Sequence, residues 1–130
     1  MKITKFIPIL LSALLFQGCG TGNSDTHDTY RQITVDEAVI MMEKESGYII
    51  LDVRRPDEFA EGHIPNAVNV PNESIGGSEI SELPNKDQLI LVYCRSGRRS
   101  KEAAQKLVKL EYTNIFEFGG ILDWKGKIVK

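Results

Sequence analysis

The sequence is poor in cysteine, has almost no excess of charge, and contains no apolar run long enough to span a bilayer. Two cysteines, Cys19 and Cys94, occur in 130 residues, which excludes a disulfide framework. Sixteen basic and eighteen acidic side chains give a net charge of −2, which excludes a general nucleic-acid binder. The composition, 42% hydrophobic and 26% charged, is typical of one globular domain and not of a disordered or coiled-coil chain.

The N-terminal segment has the pattern of an export signal. Lys2 and Lys5 precede an uncharged apolar run at residues 6–16, and Gly18 and Cys19 close it. The run is about half of the roughly 20 residues that a transmembrane helix needs. Residues 1–18 are therefore predicted to be a signal peptide.

The Gly18-Cys19 pair resembles the lipobox of bacterial lipoproteins, with Phe16 where Leu is usual. The resemblance implies lipidation of Cys19 and an extracytoplasmic, membrane-anchored protein in the periplasm or at the cell surface. A soluble secreted or periplasmic protein is the alternative. Residues 19–30 are rich in turn formers and are predicted to be a flexible tether, so that the folded domain covers residues 31–130.

Strand and helix patterns alternate along this domain. Thr34 and Glu37 fit a capping box for a helix that ends near Gly47. Further helices are predicted at residues 56–60, from Ser100 onwards and at 121–125, with one helical turn possible within 72–84. The predicted strands cover residues 32–35, 48–53, 67–70, 88–93 and 114–118, and the last is followed by a turn at Gly119-Gly120. This alternation predicts an α/β fold with a mostly parallel sheet and helices on both faces.

Cys94 lies between a predicted buried strand and a predicted helix, where open α/β sheets place their ligand sites. The helix N-terminus, the loop N–H groups and the nearby Arg95, Arg98 and Arg99 all favour a thiolate. Gly97 permits a tight backbone path that turns amides inward, which suits a small anion. Cys94 is therefore predicted to be a nucleophile with a lowered pKa.

The segment Cys94-x-x-Gly97-x-Arg99-Ser100 resembles the active-site loop of rhodanese-like sulfurtransferases. Three other segments match the same family in order along the chain, and together the matches cover about residues 31–126. They are residues 51–54 with 56–59, residues 61–67 with Asn69 and Pro71, and Gly119-Gly120 followed by Trp124.

This resemblance implies a rhodanese fold, with a five-stranded parallel sheet and flanking helices. It implies that Cys94 takes sulfur from thiosulfate or a related anion as a persulfide and passes it to a thiol or cyanide. Neither the residues nor the resemblance indicates a metal or an organic cofactor. The partners expected are therefore these small molecules and, through lipidated Cys19, a membrane.

The resemblance also implies roles for the neighbours of Cys94. A substrate anion would be bound by Arg95, Ser96, Gly97, Arg98 and Arg99, mainly through backbone N–H groups, with one or more arginine side chains reaching the sulfite oxygens. Ser100 is predicted to support the loop. Asp52, Arg54 and Glu58 are predicted to form a structural ion pair that supports it as well.

Three alternative functions stay open. The first is an extracytoplasmic carrier of polysulfide or persulfide sulfur. The second is a binding module without turnover, although such modules typically lack the cysteine that is present here. The third, a phosphatase, is disfavoured because the related phosphatases use a Cys-x5-Arg loop, whereas Arg99 follows Cys94 with four residues between.

Overall fold

A computed structural model describes residues 29–130 as a five-stranded sheet in which every strand pair is parallel, in the order β1-β5-β4-β2-β3. The strands are β1 (Arg31–Gln32), β2 (Ile49–Asp52), β3 (Val68–Asn69), β4 (Ile90–Cys94) and β5 (Ile115–Gly120), and the helices are α1 (Val35–Lys44), α2 (Pro56–Glu61) and α3 (Arg98–Lys109). The predicted α/β class is confirmed. The predicted signal peptide and Cys19 lie outside the described residues, as does all of the predicted tether except its last two positions.

The central strand β4 separates two hydrophobic cores. Ile90, Val92 and Cys94 face the core that contains the buried side of α3. Leu91 and Tyr93 face the other core, which contains the buried side of α1. Both faces of β4 are covered, which explains why its sequence is continuously apolar, and the predicted placement of helices on both faces is confirmed.

Helix α1 begins where the sequence predicts. The Thr34 hydroxyl accepts a hydrogen bond from the Glu37 N–H at 3.0 Å, and the Glu37 carboxylate accepts one from the Thr34 N–H at 2.8 Å. Of the predicted strand at residues 32–35 only Gln32 lies in β1, because Thr34 already serves as the helix cap. The helix ends at Lys44, before the predicted end near Gly47.

Boundaries near the carboxyl end of the sheet also differ from prediction. Helix α3 begins at Arg98 instead of Ser100, because Gly97 takes a left-handed conformation with φ 120° and caps the helix. The predicted turn at Gly119-Gly120 is wrong, since both glycines belong to β5. A 3₁₀ turn at Ile121–Asp123 takes the place of the predicted last helix.

A second 3₁₀ turn, at Asn72–Ser74, confirms the helical turn that was predicted within residues 72–84. Within residues 29–130, no helix has both the length and the apolar character needed to cross a membrane. The carboxyl end of β4, at the middle of the sheet, opens onto the loop that connects it to α3. This edge is where open α/β sheets bind ligands.

Candidate active site

Cys94 is the last residue of β4, and the backbone of β5 holds the loop that follows it. The Cα of Cys94 pairs with that of Gly120. A Cβ added at Gly120 would lie 1.9 Å from the Arg95 carbonyl oxygen, so only glycine fits there. The Leu122 N–H donates to the same carbonyl at 3.2 Å, and β5 with the turn that follows it therefore fixes the start of the loop.

Cys94 is 1% exposed, and its side chain lies among hydrogen-bonding groups. The Gly97 N–H donates to its Sγ at 3.0 Å, and the Ser100 hydroxyl oxygen is 3.5 Å from it. Gly97 reaches this position through its φ of 120°, which a residue with a side chain rarely adopts. The loop thus folds its amides toward the sulfur, as the sequence predicts for an anion-binding turn.

Burial alone would raise the pKa of the Cys94 thiol. Hydrogen bonds from Ser100 (hydroxyl and backbone) and from the backbone of Gly97 and Ser96 outweigh burial, so that the pKa lies below the ordinary value. A lowered pKa agrees with the prediction, but its cause is partly different. The loop N–H groups act as expected, Ser100 adds its own hydrogen bonds, and of the three arginines Arg99 lies near enough for its charge to interact with that of Cys94.

The arginines of the loop differ in their partners. Arg99 forms a two-point ion pair with Glu58, at 2.7 and 3.2 Å. Arg98 pairs with Glu102 one turn along α3, at 3.1 Å. The exposed Arg95 side chain makes no ion pair or hydrogen bond within residues 29–130.

An open depression of about 380 Å³ adjoins the loop, and its lining is mainly cationic. It is lined by Arg55, Glu73, Arg95, Ser96, Arg98 and Arg99. Four guanidinium groups against one carboxylate make it suited to a small anion. Four of the five predicted substrate-binding residues border it, and Gly97 lies buried beneath with its N–H on the sulfur.

The predicted group of Asp52, Arg54 and Glu58 divides into two separate clusters. Asp52 and Arg54 form a buried pair at 2.7 Å, and Arg54 also donates to the Gly62 carbonyl at 2.7 Å. Glu58 instead bonds Arg99 at the edge of the depression. The predicted structural ion pair is present for Asp52 and Arg54, whereas Glu58 belongs to a separate pair because it lies on α2 and faces the loop. Only Glu58 contacts a residue that follows Cys94.

Two residues of the site were missed from the sequence. Tyr93 donates its hydroxyl to Asp52 at 2.5 Å and accepts from the Ile64 N–H at 3.2 Å. Glu117 accepts a 2.5 Å hydrogen bond from the Ser100 hydroxyl and lies buried on β5. A charged residue inside the otherwise apolar segment 115–118 is a signal that could have identified Glu117.

Comparison with known proteins agrees with this geometry. The Rhodanese-like domain family matches residues 34–127, and the chain belongs to that family. Thiosulfate sulfurtransferase GlpE of Coxiella burnetii is 35% identical over 97 residues, which are 74% of this chain and 88% of that protein. Thiosulfate sulfurtransferase PspE of Escherichia coli is 32% identical over 73 residues, 56% of this chain and 70% of that protein.

A solved structure described as rhodanese with anions from Escherichia coli aligns with a TM-score of 0.59 and 30% identity. The alignment covers 64% of this chain and 98% of that one. The protein is therefore a rhodanese-family member whose relatives include thiosulfate sulfurtransferases.

Proposed function

We propose that this protein is a sulfurtransferase that carries sulfur as a persulfide on Cys94. The thiolate attacks the outer sulfur of thiosulfate or a related donor. A new S–S bond forms at Cys94, the bond between the outer sulfur and the sulfonate sulfur breaks, and sulfite leaves with the bonding electrons. The persulfide anion then gives its outer sulfur to a thiol or cyanide, which regenerates the thiolate.

The arrangement around the sulfur carries this proposal. The Gly97 N–H points at Sγ from 3.0 Å, and the hydrogen bonds at this loop lower the pKa of the thiol against burial. The same amides can stabilise the negative charge of a persulfide, since fixed N–H dipoles in a partly dry site act without reorganisation. A reactive thiolate and an anion-binding loop therefore occur at the same place in the structure.

The donor is recognised by charge. Arg98 and Arg99 are held by carboxylates, whereas the exposed Arg95 side chain has no such partner within the described residues. A guanidinium with free donors binds a sulfonate oxygen without first breaking an ion pair. Arg95 is therefore the side chain assigned to the sulfite moiety of the donor.

Intact-mass spectrometry of the purified protein after exposure to thiosulfate tests the function. The expected result is a gain of one sulfur atom that cyanide reverses and that Cys94→Ser abolishes. An adduct formed from polysulfide but not thiosulfate would assign the protein as a polysulfide carrier. No adduct from either donor would contradict the proposal and favour a binding module without turnover.

Paired arginine variants test how the donor binds. Arg95→Gln is expected to raise KM for thiosulfate by roughly tenfold, because it removes a charged hydrogen bond. Arg98→Gln is the matched control and is expected to change KM by about twofold or less, since it removes an exposed ion pair. Steady-state kinetics at fixed ionic strength measure both values, and equal effects would contradict the assignment of Arg95.

We further propose that Cys19 is lipidated and places the domain at an extracytoplasmic membrane surface. The sequence around Gly18 and Cys19 supports this location. Fractionation of cells that express the protein tests it, with Cys19→Ser expected to move the protein from the membrane to another fraction. A wild-type protein found in the soluble extracytoplasmic fraction would support plain secretion instead.

A further inference from the structure

Glu117 is a buried carboxylate in the middle of the sheet with no basic partner among residues 29–130. Glu117 is 2% exposed, and none of the described ion pairs includes it. By contrast, Asp52, the other buried carboxylate of this part of the chain, is paired with Arg54. Burying a carboxylate without a paired cation costs free energy. The hydrogen bonds that Glu117 makes are therefore of interest.

The hydrogen bonds of Glu117 connect it to Cys94 through Ser100. Oε2 accepts a hydrogen bond from the Ser100 hydroxyl at 2.5 Å and another from the Gly119 N–H at 2.8 Å. The Ser100 hydroxyl oxygen is in turn 3.5 Å from Cys94 Sγ. Glu117 and Cys94 therefore compete for the same hydroxyl group.

Ser100 has one hydroxyl proton and four acceptors within reach. They are Glu117 Oε2 at 2.5 Å, the Gly97 carbonyl at 2.9 Å, the Gly119 carbonyl at 3.2 Å and Cys94 Sγ at 3.5 Å. Glu117 Oε2 is the nearest of the four acceptors, so it competes most strongly for the proton. While the carboxylate holds the proton, the hydroxyl cannot donate it to the sulfur, so the lowering of the pKa of Cys94 by Ser100 is weakened.

We propose that Glu117 is a positioning residue that limits the thiolate fraction of Cys94 by holding the Ser100 hydroxyl proton. The proposal rests on Cys94 being the nucleophile of the proposed function. Ser100 lowers the pKa of the thiol when its proton points at the sulfur, and Glu117 competes for that proton. While Glu117 holds it, the backbone N–H groups of the loop are the donors that stabilise the thiolate.

The other charged groups near Cys94 do not replace Glu117 in this role. From α3, Arg99 lies near enough to the sulfur for their charges to interact, but it is neutralised by Glu58 of α2. The side chains of Arg95, in the loop, and of Arg98, at the start of α3, are exposed. On the opposite face of the sheet, the carboxylate of Asp52, at the end of β2, is paired with Arg54 and accepts the hydroxyl of Tyr93.

The test measures the rate at which iodoacetamide alkylates Cys94 as a function of pH, followed by mass spectrometry of the peptide that contains it. Glu117→Gln keeps the shape and an acceptor oxygen but removes the charge. In this variant the Ser100 proton is free to turn to the anionic sulfur. We expect the rate at neutral pH to rise roughly three- to tenfold and the profile to move to lower pH. An unchanged or slower rate would overturn the proposal.

Ser100→Ala provides a second, independent variant. Ser100→Ala removes the hydroxyl for which Glu117 and the sulfur compete, so Glu117→Gln is expected to add little to the alkylation rate in that background. An undiminished effect of Glu117→Gln there would contradict action through Ser100. Glu61→Gln, at an exposed carboxylate of α2, is the matched control and is expected to alkylate at the wild-type rate.

Thermal unfolding of each variant shows whether it is folded at the temperature of the assay, and Glu117→Asp, whose shorter side chain draws the carboxylate back from Ser100, is used if Glu117→Gln is not folded. The alkylation assay requires no sulfur donor. The alkylation result therefore stands even if the protein forms no persulfide with a sulfur donor. Equally, an unchanged alkylation rate in Glu117→Gln would not contradict a persulfide detected by mass spectrometry.

Discussion

The two arginine–carboxylate clusters beside the active-site loop differ in burial and in what they hold. The Asp52–Arg54 pair has side chains that are 0% and 7% exposed, whereas those of Glu58 and Arg99 are 14% and 20% exposed. The first cluster joins the end of β2 to the Gly62 carbonyl and to Tyr93 of β4. The second joins α2 to the first turn of α3.

This difference indicates that the Asp52–Arg54 cluster stabilises the fold, whereas the Glu58–Arg99 cluster arranges the site. A buried pair resists removal of either partner, because the remaining charge has no water to solvate it. A pair at the rim of a depression contributes less to stability but sets which guanidinium groups remain free for a substrate. We therefore expect variants of the first cluster to lower the free energy of unfolding strongly. Variants of the second cluster should mainly change which side chains at the rim of the depression are free to bind substrate.

Asp52→Ala is expected to have the largest effect. It leaves Arg54 buried without a carboxylate and removes the acceptor of the Tyr93 hydroxyl, which should lower the free energy of unfolding by about 3–5 kcal/mol. Urea denaturation followed by circular dichroism measures the change. A loss no greater than that of Glu58→Ala would remove the distinction between the two clusters.

Tyr93→Phe is expected to have an intermediate effect. It removes one hydrogen bond to a buried carboxylate and leaves the Ile64 N–H without its acceptor, which should cost about 1–3 kcal/mol of unfolding free energy. Tyr112→Phe is the matched control, because the Tyr112 hydroxyl donates to the uncharged Leu83 carbonyl at 2.6 Å. The same urea experiment should give a smaller loss for Tyr112→Phe, and the reverse order would contradict the charge-based account.

Glu58→Gln is expected to have the smallest effect at neutral pH and a distinct effect in acid. Arg99 lowers the pKa of Glu58 to about 2 against burial, with the Arg55 N–H contributing. A carboxyl whose pKa falls on folding adds stability above its unfolded value, and this stability is lost as pH falls through the folded value. The wild type should lose this contribution between pH 4.5 and about 2.

The measurement is thermal unfolding across that pH range in wild type and Glu58→Gln. The difference between the two melting temperatures should shrink as the solution is acidified. A difference that stays constant down to the lowest pH would show that the carboxylate charge does not stabilise this pair in the folded state.

Local chemistry explains which features could be predicted from the sequence. The capping box at Thr34, the proline that starts α2 and the continuous apolar run of β4 depend on neighbouring residues, and all three occur in the structure. The position of Cys94 at a strand end follows from the same run. Family resemblance then supplied the five-stranded sheet, whose strand order depends on long-range pairing that periodicity does not encode.

The partners of the arginines show where sequence reasoning ends. The Arg98–Glu102 pair has helical i,i+4 spacing and is readable from the sequence. The Arg99–Glu58 pair joins residues 41 positions apart, so it depends on how α2 packs beside α3. The contact of Glu117 with Ser100 likewise requires the register of β5 against α3, which no local pattern specifies.

Gly120 has a consequence for how this loop can be re-engineered. Its missing side chain leaves the space that the Arg95 carbonyl occupies, so the loop and the end of β5 have complementary shapes. A loop of different length transplanted after Cys94 would meet a strand that fits the original backbone. We expect such a graft to keep its native shape only when the Gly119-Gly120 segment of the donor protein is transferred with it, so the two segments form one exchangeable unit.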